Sequence, residues 1–450
     1  MGFRNVSKVK GWHRVNVFMF TITITLLIAN CLGIVQQRQP SSIANRRSFV
    51  RTTAEAISVL SIPIKTNAKE DVEDVIPNDE ERRSYNQQFP SLFDPIYGKA
   101  TNKKTIKKQI TGNVYILEQS LVLGPLETPI RCVVIRLKDG NLWVHNPLAP
   151  TKEFFELVES CCGSNGVISH VIIPTYALEH KIFAKDALHR WQTSQLWISP
   201  NQFNFPLRSI SNKYIWGRDL VDGVLIDSDL SKEYMQPPWI DEIQYQTLTA
   251  GTFTIGGQIT SLCETAFYHK SSQSLIVTDS VAKIGSEPLE SISNAENLLL
   301  ISKRSTSDGM PTNTFKSRQI GWKKNALLIS YFFPEHEEPD PTKFGVVTWT
   351  DGWEDNFDRL SNKLLVPPVV RSLLYNQNPS KVKEWVDIVC NRWEFRTIIP
   401  AHWDAPISAN TSEFKNCFRF LDDDCIDSFP ENDLKRGLKP LADLVLNRLS

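Results

Sequence analysis

Four stretches of the sequence carry acid or imidazole side chains at or just beyond a run of apolar residues. Glu179 and His180 follow Val167–Pro174 in the segment Thr175-Tyr176-Ala177-Leu178-Glu179-His180-Lys181. Glu264 and His269 lie within Ser261–His269, Asp279 follows Ser274–Thr278, and His402 follows Phe395–Pro400. Carboxylates and imidazoles move protons near neutral pH and ligate divalent cations. In layered α/β proteins such groups gather on loops beyond strand ends. The same residues also fit a plainer role. His180 and His402 would then be half-buried helix-start and loop histidines, and Glu179 a first-turn carboxylate favoured by the helix dipole. His170, inside the apolar run, reads as a core or edge histidine. His269 is an odd number of residues from Glu264 and so points to the opposite face of their strand. Cys161-Cys162 reads as a pair at a helix C-terminus. Trp403 would wall a pocket beside His402, and the other tryptophans line core or groove.

These groups need elements to hold them. Asn113–Glu118, Arg131–Leu137 and Leu142–His145 read as strands of a meander, with Asp139-Gly140 as a hairpin turn. A helix is expected over Lys152–Cys161, and Val167–Pro174 has the continuous apolar character of a strand buried on both faces. A helix-like Phe183–Trp191 and a strand Gln195–Ser199 follow. Gln244–Leu248, Phe253–Ile255, Ser261–His269 and Ser274–Thr278 are again strands, whereas Ser291–Asp340 reads as irregular apart from Ala326–Ser330. Asn378-Pro379 caps and opens a helix whose buried face is Val382, Trp385, Val386, Val389, Cys390 and Trp393. Phe395–Pro400 is the last strand. Meander, alternating α and β, meander, then α and β again implies an α/β fold, two mixed β-sheets flanked by helices.

The order and surroundings of these groups resemble the metallo-β-lactamase superfamily, over roughly Ile110 to Asp404. That family carries a His-x-His-x-Asp-His loop after a buried strand, a third His, an Asp closing a strand, and a final His. By that resemblance Thr175 and Ala177 stand where the first two His belong, Glu179 replaces the Asp, and His180, Asp279 and His402 match. Glu264 takes the place of the third His. The segments Asn146–Thr151, Pro174–Lys181 and Ile399–His402 look more like a related domain family of unknown function from photosynthetic organisms, with an altered metal loop. The resemblance implies an αββα sandwich. It also implies that one of two metal sites is lost, since alanine donates nothing and threonine is a poor ligand. Glu179, His180, Asp279 and His402 then remain as a set suited to a single Zn²⁺, Fe²⁺ or Mn²⁺ ion.

Four protein ligands make a closed zinc site, while hydrolytic zinc keeps a position open for water. Catalysis therefore requires weak binding by Asp279 or a higher coordination number. Glu264, left without a metal, becomes the candidate general base, its pKa raised by the neighbouring Asp279 carboxylate. Two functions stay open at this point. One is a metal-dependent hydrolase-like protein acting on a small ester or thioester; the other is a non-catalytic binding or scaffold protein with a vestigial, metal-free site.

Composition narrows the partners. The chain has 450 residues with 50 Lys+Arg and 50 Asp+Glu, but the zero is a sum of unlike parts. Met1 to Ala54 contains no acidic residue and eight basic ones, leaving the remainder 42 basic against 50 acidic residues. An acidic body argues against nucleic acid, which requires basic patches, and favours a small-molecule partner. Residues 1–35 pair a basic start with the apolar run Val15–Val35 and read as a signal peptide or a retained membrane anchor. Residues 36–68 are Ser/Gln/Arg-rich and include Arg46-Arg47, a transit-peptide or twin-arginine-like leader. Signal plus transit-like stretch resembles the bipartite leaders of algae with complex plastids, which implies a plastid address, including the thylakoid lumen. The alternative address is the secretory pathway or a membrane. Residues 69–104 open with seven acidic residues before Arg83 and read as an acidic linker. Residues 105–450 form the lactamase-like domain with a C-terminal helical extension, in which Cys417 and Cys425 would pair in an oxidising compartment.

Overall fold

Strand alternation builds the layers. In a strand, successive side chains face opposite sides of the sheet. Along one strand Cys132 and Val134 pack into one apolar cluster, whereas Val133 and Ile135 pack into another. Both sides are therefore buried, and the strand lies between two layers of partners. The computed structural model describes residues 78–88, 90–200, 202, 211–226, 236–255, 258–292, 294–305, 307–330, 348–422, 429 and 438. The leader and Cys425 lie outside these residues.

The first sheet runs in sequence order: β1 (Ile106–Gln109), β2 (Val114–Leu123), β3 (Leu126–Arg136), β4 (Leu142–His145), β5 (Ile168–Ile173), β6 (Gln195–Ile198) and β7 (Gly223–Val224). The pairs from β1 to β4 are antiparallel and those from β4 to β7 parallel. Gly140 makes the β3–β4 turn with φ of 86°, a conformation that suits glycine. The second sheet holds β8 (Ile243–Ile255), β9 (Gln258–His269) and β10 (Ser274–Ile276). A small pair, β11 (Ala282–Lys283) and β12 (Leu364–Leu365), stands apart. With β13 (Thr397–Ile399) and β14 (Ile407–Ser408), the second sheet has the order β14-β13-β10-β9-β8, and β10 and β13 are its parallel pair. The two expected strands Gln244–Leu248 and Phe253–Ile255 are one strand with a register shift between Thr249 and Gly251.

Three apolar clusters mark the three layer interfaces. Ile116, Val133, Trp143 and Ile172 of the first sheet meet Tyr245, Phe267, Ile276 and Ile399 of the second. The outer face of the first sheet packs on the helices Lys152–Glu159 and Ala184–Arg190 through Phe154, Val158, Ala187 and Leu188. The outer face of the second packs on Phe315–Ser330 and Pro379–Arg392 through Trp322, Leu327, Val382 and Trp385. This is the expected αββα sandwich. Among the described residues no helix is long and apolar enough to cross a membrane.

Two stretches depart from the sequence reading. Ser291–Asp340 carries the helices Ala295–Ser302 and Phe315–Ser330. The second buries Gly321, Trp322, Lys324, Asn325, Ala326, Leu327, Leu328 and Ser330, so it has no apolar stripe to betray its period. Its contact with Ala295–Ser302 depends on Gly321, where an added Cβ would sit 1.9 Å from the Leu298 carbonyl oxygen. Gly321→Ala should therefore separate these helices and lower stability by about 1–3 kcal/mol, readable as a reduced urea midpoint. An unchanged midpoint would contradict the close approach.

Residues 78–104 are the second departure, since they fall in the stretch read as a linker. They hold the helices Asp79–Arg82 and Pro90–Tyr97. Arg82 and Arg83 pair with Glu156 at 2.7 Å and Glu153 at 3.0 Å, and buried Lys103 donates to the Ser120 carbonyl at 2.9 Å. Acidic composition conceals such docking because the partners are charges on a helix distant in sequence.

Candidate metal centre

The C-terminal ends of the parallel strands β4, β5, β10 and β13 lie at one end of the sandwich. Beyond β5 the chain crosses to the other sheet: the Thr265 N–H donates to the Pro174 carbonyl at 2.8 Å, and Thr175 bridges Glu264. The Thr175 hydroxyl donates to the Cys263 carbonyl at 2.9 Å. A short 3₁₀ turn, Leu178–His180, then presents Glu179 and His180. Beyond β10 comes Asp279, and beyond β13 comes His402.

These residues, far apart in sequence, converge. The Nε2 atoms of His180 and His402 are 3.3 Å apart. Asp279 lies between them, with Oδ2 at 3.6 Å from His180 Nε2 and Oδ1 at 3.4 Å from His402 Nε2. One donor atom each from Glu179, His180 and His402 falls within 4.8 Å of the others. Nitrogen and carboxylate oxygen donors so spaced, on rings largely shut away from water, fit a divalent cation of the Zn²⁺, Fe²⁺ or Mn²⁺ kind.

The loop carrying His402 is clamped from the first sheet. His402 Nδ1 is 2.7 Å from the Pro129 carbonyl, which can only accept, so Nδ1 bears the hydrogen. In the neutral ring the lone pair is then on Nε2, facing Asp279 and His180. Fully buried Arg131, ion-paired with Glu118, donates to the carbonyls of Pro400 and Trp403 on either side. Trp403 packs edge-on against Trp322 at 5.5 Å and is 4% exposed. It therefore belongs to the core under the loop.

Glu264 holds the Asp279 loop. Its Oε1 accepts from the backbone N–H groups of Thr278 at 2.8 Å and Ser280 at 3.3 Å, which flank Asp279. Its Oε2 accepts from the Tyr375 hydroxyl at 3.4 Å. Burial first, and then the Asp279 charge, push the Glu264 carboxyl well above the ordinary carboxylate range. Burial is the largest influence on His180 and disfavours its charge, but Asp279, Glu179 and Glu264 together raise the His180 pKa; at Asp279 burial is likewise overcome by His180 and His402, which together lower its pKa. His402 is held neutral by burial and, after it, by the nearby His180, with its pKa lowered to about 4.

Of the other sequence candidates, His170 is buried in β5 with Nδ1 at 2.7 Å from the Ser169 hydroxyl. His269 is engaged by Ser271 and Ser272 at the β9–β10 turn, at 3.1 and 2.7 Å. Cys161 and Cys162 follow the C-cap Ser160 of the Lys152–Glu159 helix. One residue that sequence reasoning passes over is His145, the last of β4. It is fully buried, stacks on Trp143 at 5.7 Å and meets Phe267 at 5.5 Å, with neither ring nitrogen hydrogen-bonded within the protein. Its position at the end of an apolar run is what any core-edge residue would have, so spacing does not mark it.

Residues 111–420 match the family model described as a domain of unknown function, DUF4336. The chain belongs to that family. No curated protein matches the sequence. Solved structures similar to the DUF4336 chain include a metallo-β-lactamase from Hirschia baltica, at 12% identity and a TM-score of 0.33, covering 73% of this chain and 100% of that one. A metallo-β-lactamase from Pseudomonas aeruginosa in its mono-zinc form is 11% identical, with a TM-score of 0.34 and coverage of 72% and 97%. A flavodiiron protein from Giardia intestinalis is 10% identical, with a TM-score of 0.39 and coverage of 71% and 60%.

Proposed function

We propose that this DUF4336 protein is a mononuclear metal-dependent hydrolase-like protein that acts on a small ester or thioester-type substrate in the plastid. The observation that carries this reading is the convergence of His180, His402 and Asp279 within 3.3–3.6 Å, with Glu179 beside the two imidazoles. Glu179, His180, Asp279 and His402 would hold the ion, and a bound divalent metal lowers the pKa of water and polarises a carbonyl. The Thr175 hydroxyl, committed to the Cys263 carbonyl, and Ala177, which has no donor, support one ion and not two. Glu264, the general-base candidate of the sequence, is tied on both carboxylate oxygens and is better suited to fixing Asp279 against the imidazoles. The leader's chemistry supports the plastid address, and the acidic body supports a small molecule over nucleic acid.

The full chain purified without chelator should contain close to one equivalent of Zn, Fe or Mn by elemental analysis. Chelation should lower its melting temperature, because an ion held by the folded state alone adds to stability by mass action. A metal-free protein whose melting temperature ignores added Zn²⁺ would remove this reading. The second reading, a non-catalytic binding protein, is favoured by the same committed Thr175 hydroxyl. A folded, metal-free protein that turns over no ester or thioester would select it.

A further inference from the structure

An oligosaccharide is joined to asparagine in the triplet Asn-x-Ser or Asn-x-Thr, with x other than proline, where that triplet lies at the surface of a secreted chain. Two triplets in this sequence qualify, Asn5-Val6-Ser7 at the start of the leader and Asn410-Thr411-Ser412 in the folded body. Asn378-Pro379-Ser380 has the spacing but carries the excluded proline. Asn410 follows closely on β14, the terminal strand of the second sheet. It is exposed, as are Ser408, Ser412 and Glu413 around it, so the triplet opens to solvent and not into a layer interface. The side chain is held by one atom only. Asn410 Oδ1 accepts from the Glu413 N–H at 3.0 Å, and the Asn410 N–H donates to the Glu413 carboxylate at 2.8 Å. The amide nitrogen, Nδ2, donates to nothing among the described residues. A sugar on Nδ2 leaves the amide oxygen as an acceptor, so both of these hydrogen bonds survive modification.

We propose that Asn410 carries an N-linked glycan, added in the endoplasmic reticulum to chains that their leader delivers there. In that transfer Nδ2 bonds to the anomeric carbon of an oligosaccharide held on a lipid pyrophosphate. The carbon–oxygen bond to the pyrophosphate breaks, the lipid pyrophosphate leaves, and Nδ2 gives up one proton. Asn5 is no competing acceptor, because the basic region ahead of the apolar run stays on the cytosolic side of the membrane. The inference is independent of the metal centre and rests on the reading of residues 1–35 as a signal peptide.

The test is translation of the full chain in the presence of endoplasmic-reticulum microsomes, read on a denaturing gel with and without added protease. The parent should give a protease-protected band shifted upward by one glycan and returned to its unmodified position by endoglycosidase H. Asn410→Gln and Ser412→Ala should each abolish the shift. Ser412→Thr should keep it, because threonine also completes the triplet, and Asn5→Gln should leave it unchanged. The gel reads covalent mass, so the result does not depend on how well a variant folds. A protected chain without a shift, or a shift that survives Asn410→Gln, would overturn the inference and leave the signal-peptide reading intact. A chain left wholly open to the protease would overturn both.

Discussion

His402→Ala is expected to weaken zinc binding by more than about a hundredfold, beyond the 10–100-fold typical of an outer partner, while the protein stays folded. The His402 ring contributes Nε2 at 3.4 Å from Asp279 and 3.3 Å from His180, so its removal takes one corner out of the candidate ligand set. What the fold loses is modest. One side-chain hydrogen bond to Pro129 disappears, worth about 1 kcal/mol, and the backbone of the loop is still held by Arg131 at Pro400 and Trp403. Zinc titration by calorimetry separates the two effects, with circular dichroism as the control for folding. Parental zinc affinity in the variant would show that His402 holds no ion.

Arg131→Met is expected to have the largest effect on stability, about 3–5 kcal/mol, the range found when one member of a buried ion pair is removed. Arg131 and Glu118 are both almost wholly buried, and the guanidinium also satisfies two carbonyls of the His402 loop. Without it, the buried Glu118 charge is left with only Lys108 at 4.0 Å, and two backbone acceptors lose their donor. Converting Glu118 to methionine as well should recover much of the loss, because the orphaned carboxylate is the dominant cost. Urea denaturation of the single and double variants gives both numbers. A single variant within about 1 kcal/mol of the parent would mean that the pair contributes little. Zinc affinity should fall in both variants, since the His402 loop loses its clamp in each.

The sandwich was legible in the sequence wherever burial is one-sided or alternating. β2 and β3 alternate between two apolar layers, the Asp139-Gly140 turn joins β3 to β4, and Asn378-Pro379 marks the start of the helix that Trp385 anchors. The same cues fail at Phe315–Ser330, where burial on nearly every side from Gly321 onward erases the period, and at residues 78–104, where acidic composition hides docked helices.

By itself the sequence determined the chemistry available: which strand ends carry acids and imidazoles, that Ala177 donates nothing, and that the basic leader differs from the acidic body. These are local properties of residue type and spacing. Tertiary structure decided which of those groups meet. It brought His180, Asp279 and His402 together, tied Glu264 to the backbone around Asp279, and buried His145 against Trp143 and Phe267. It also set Arg131 beneath a loop 269 residues further along the chain. Convergence of this kind comes from sheet register and layer packing, which no local pattern encodes. A buried polar side chain takes its role from the partners that folding sets within a few ångströms of it.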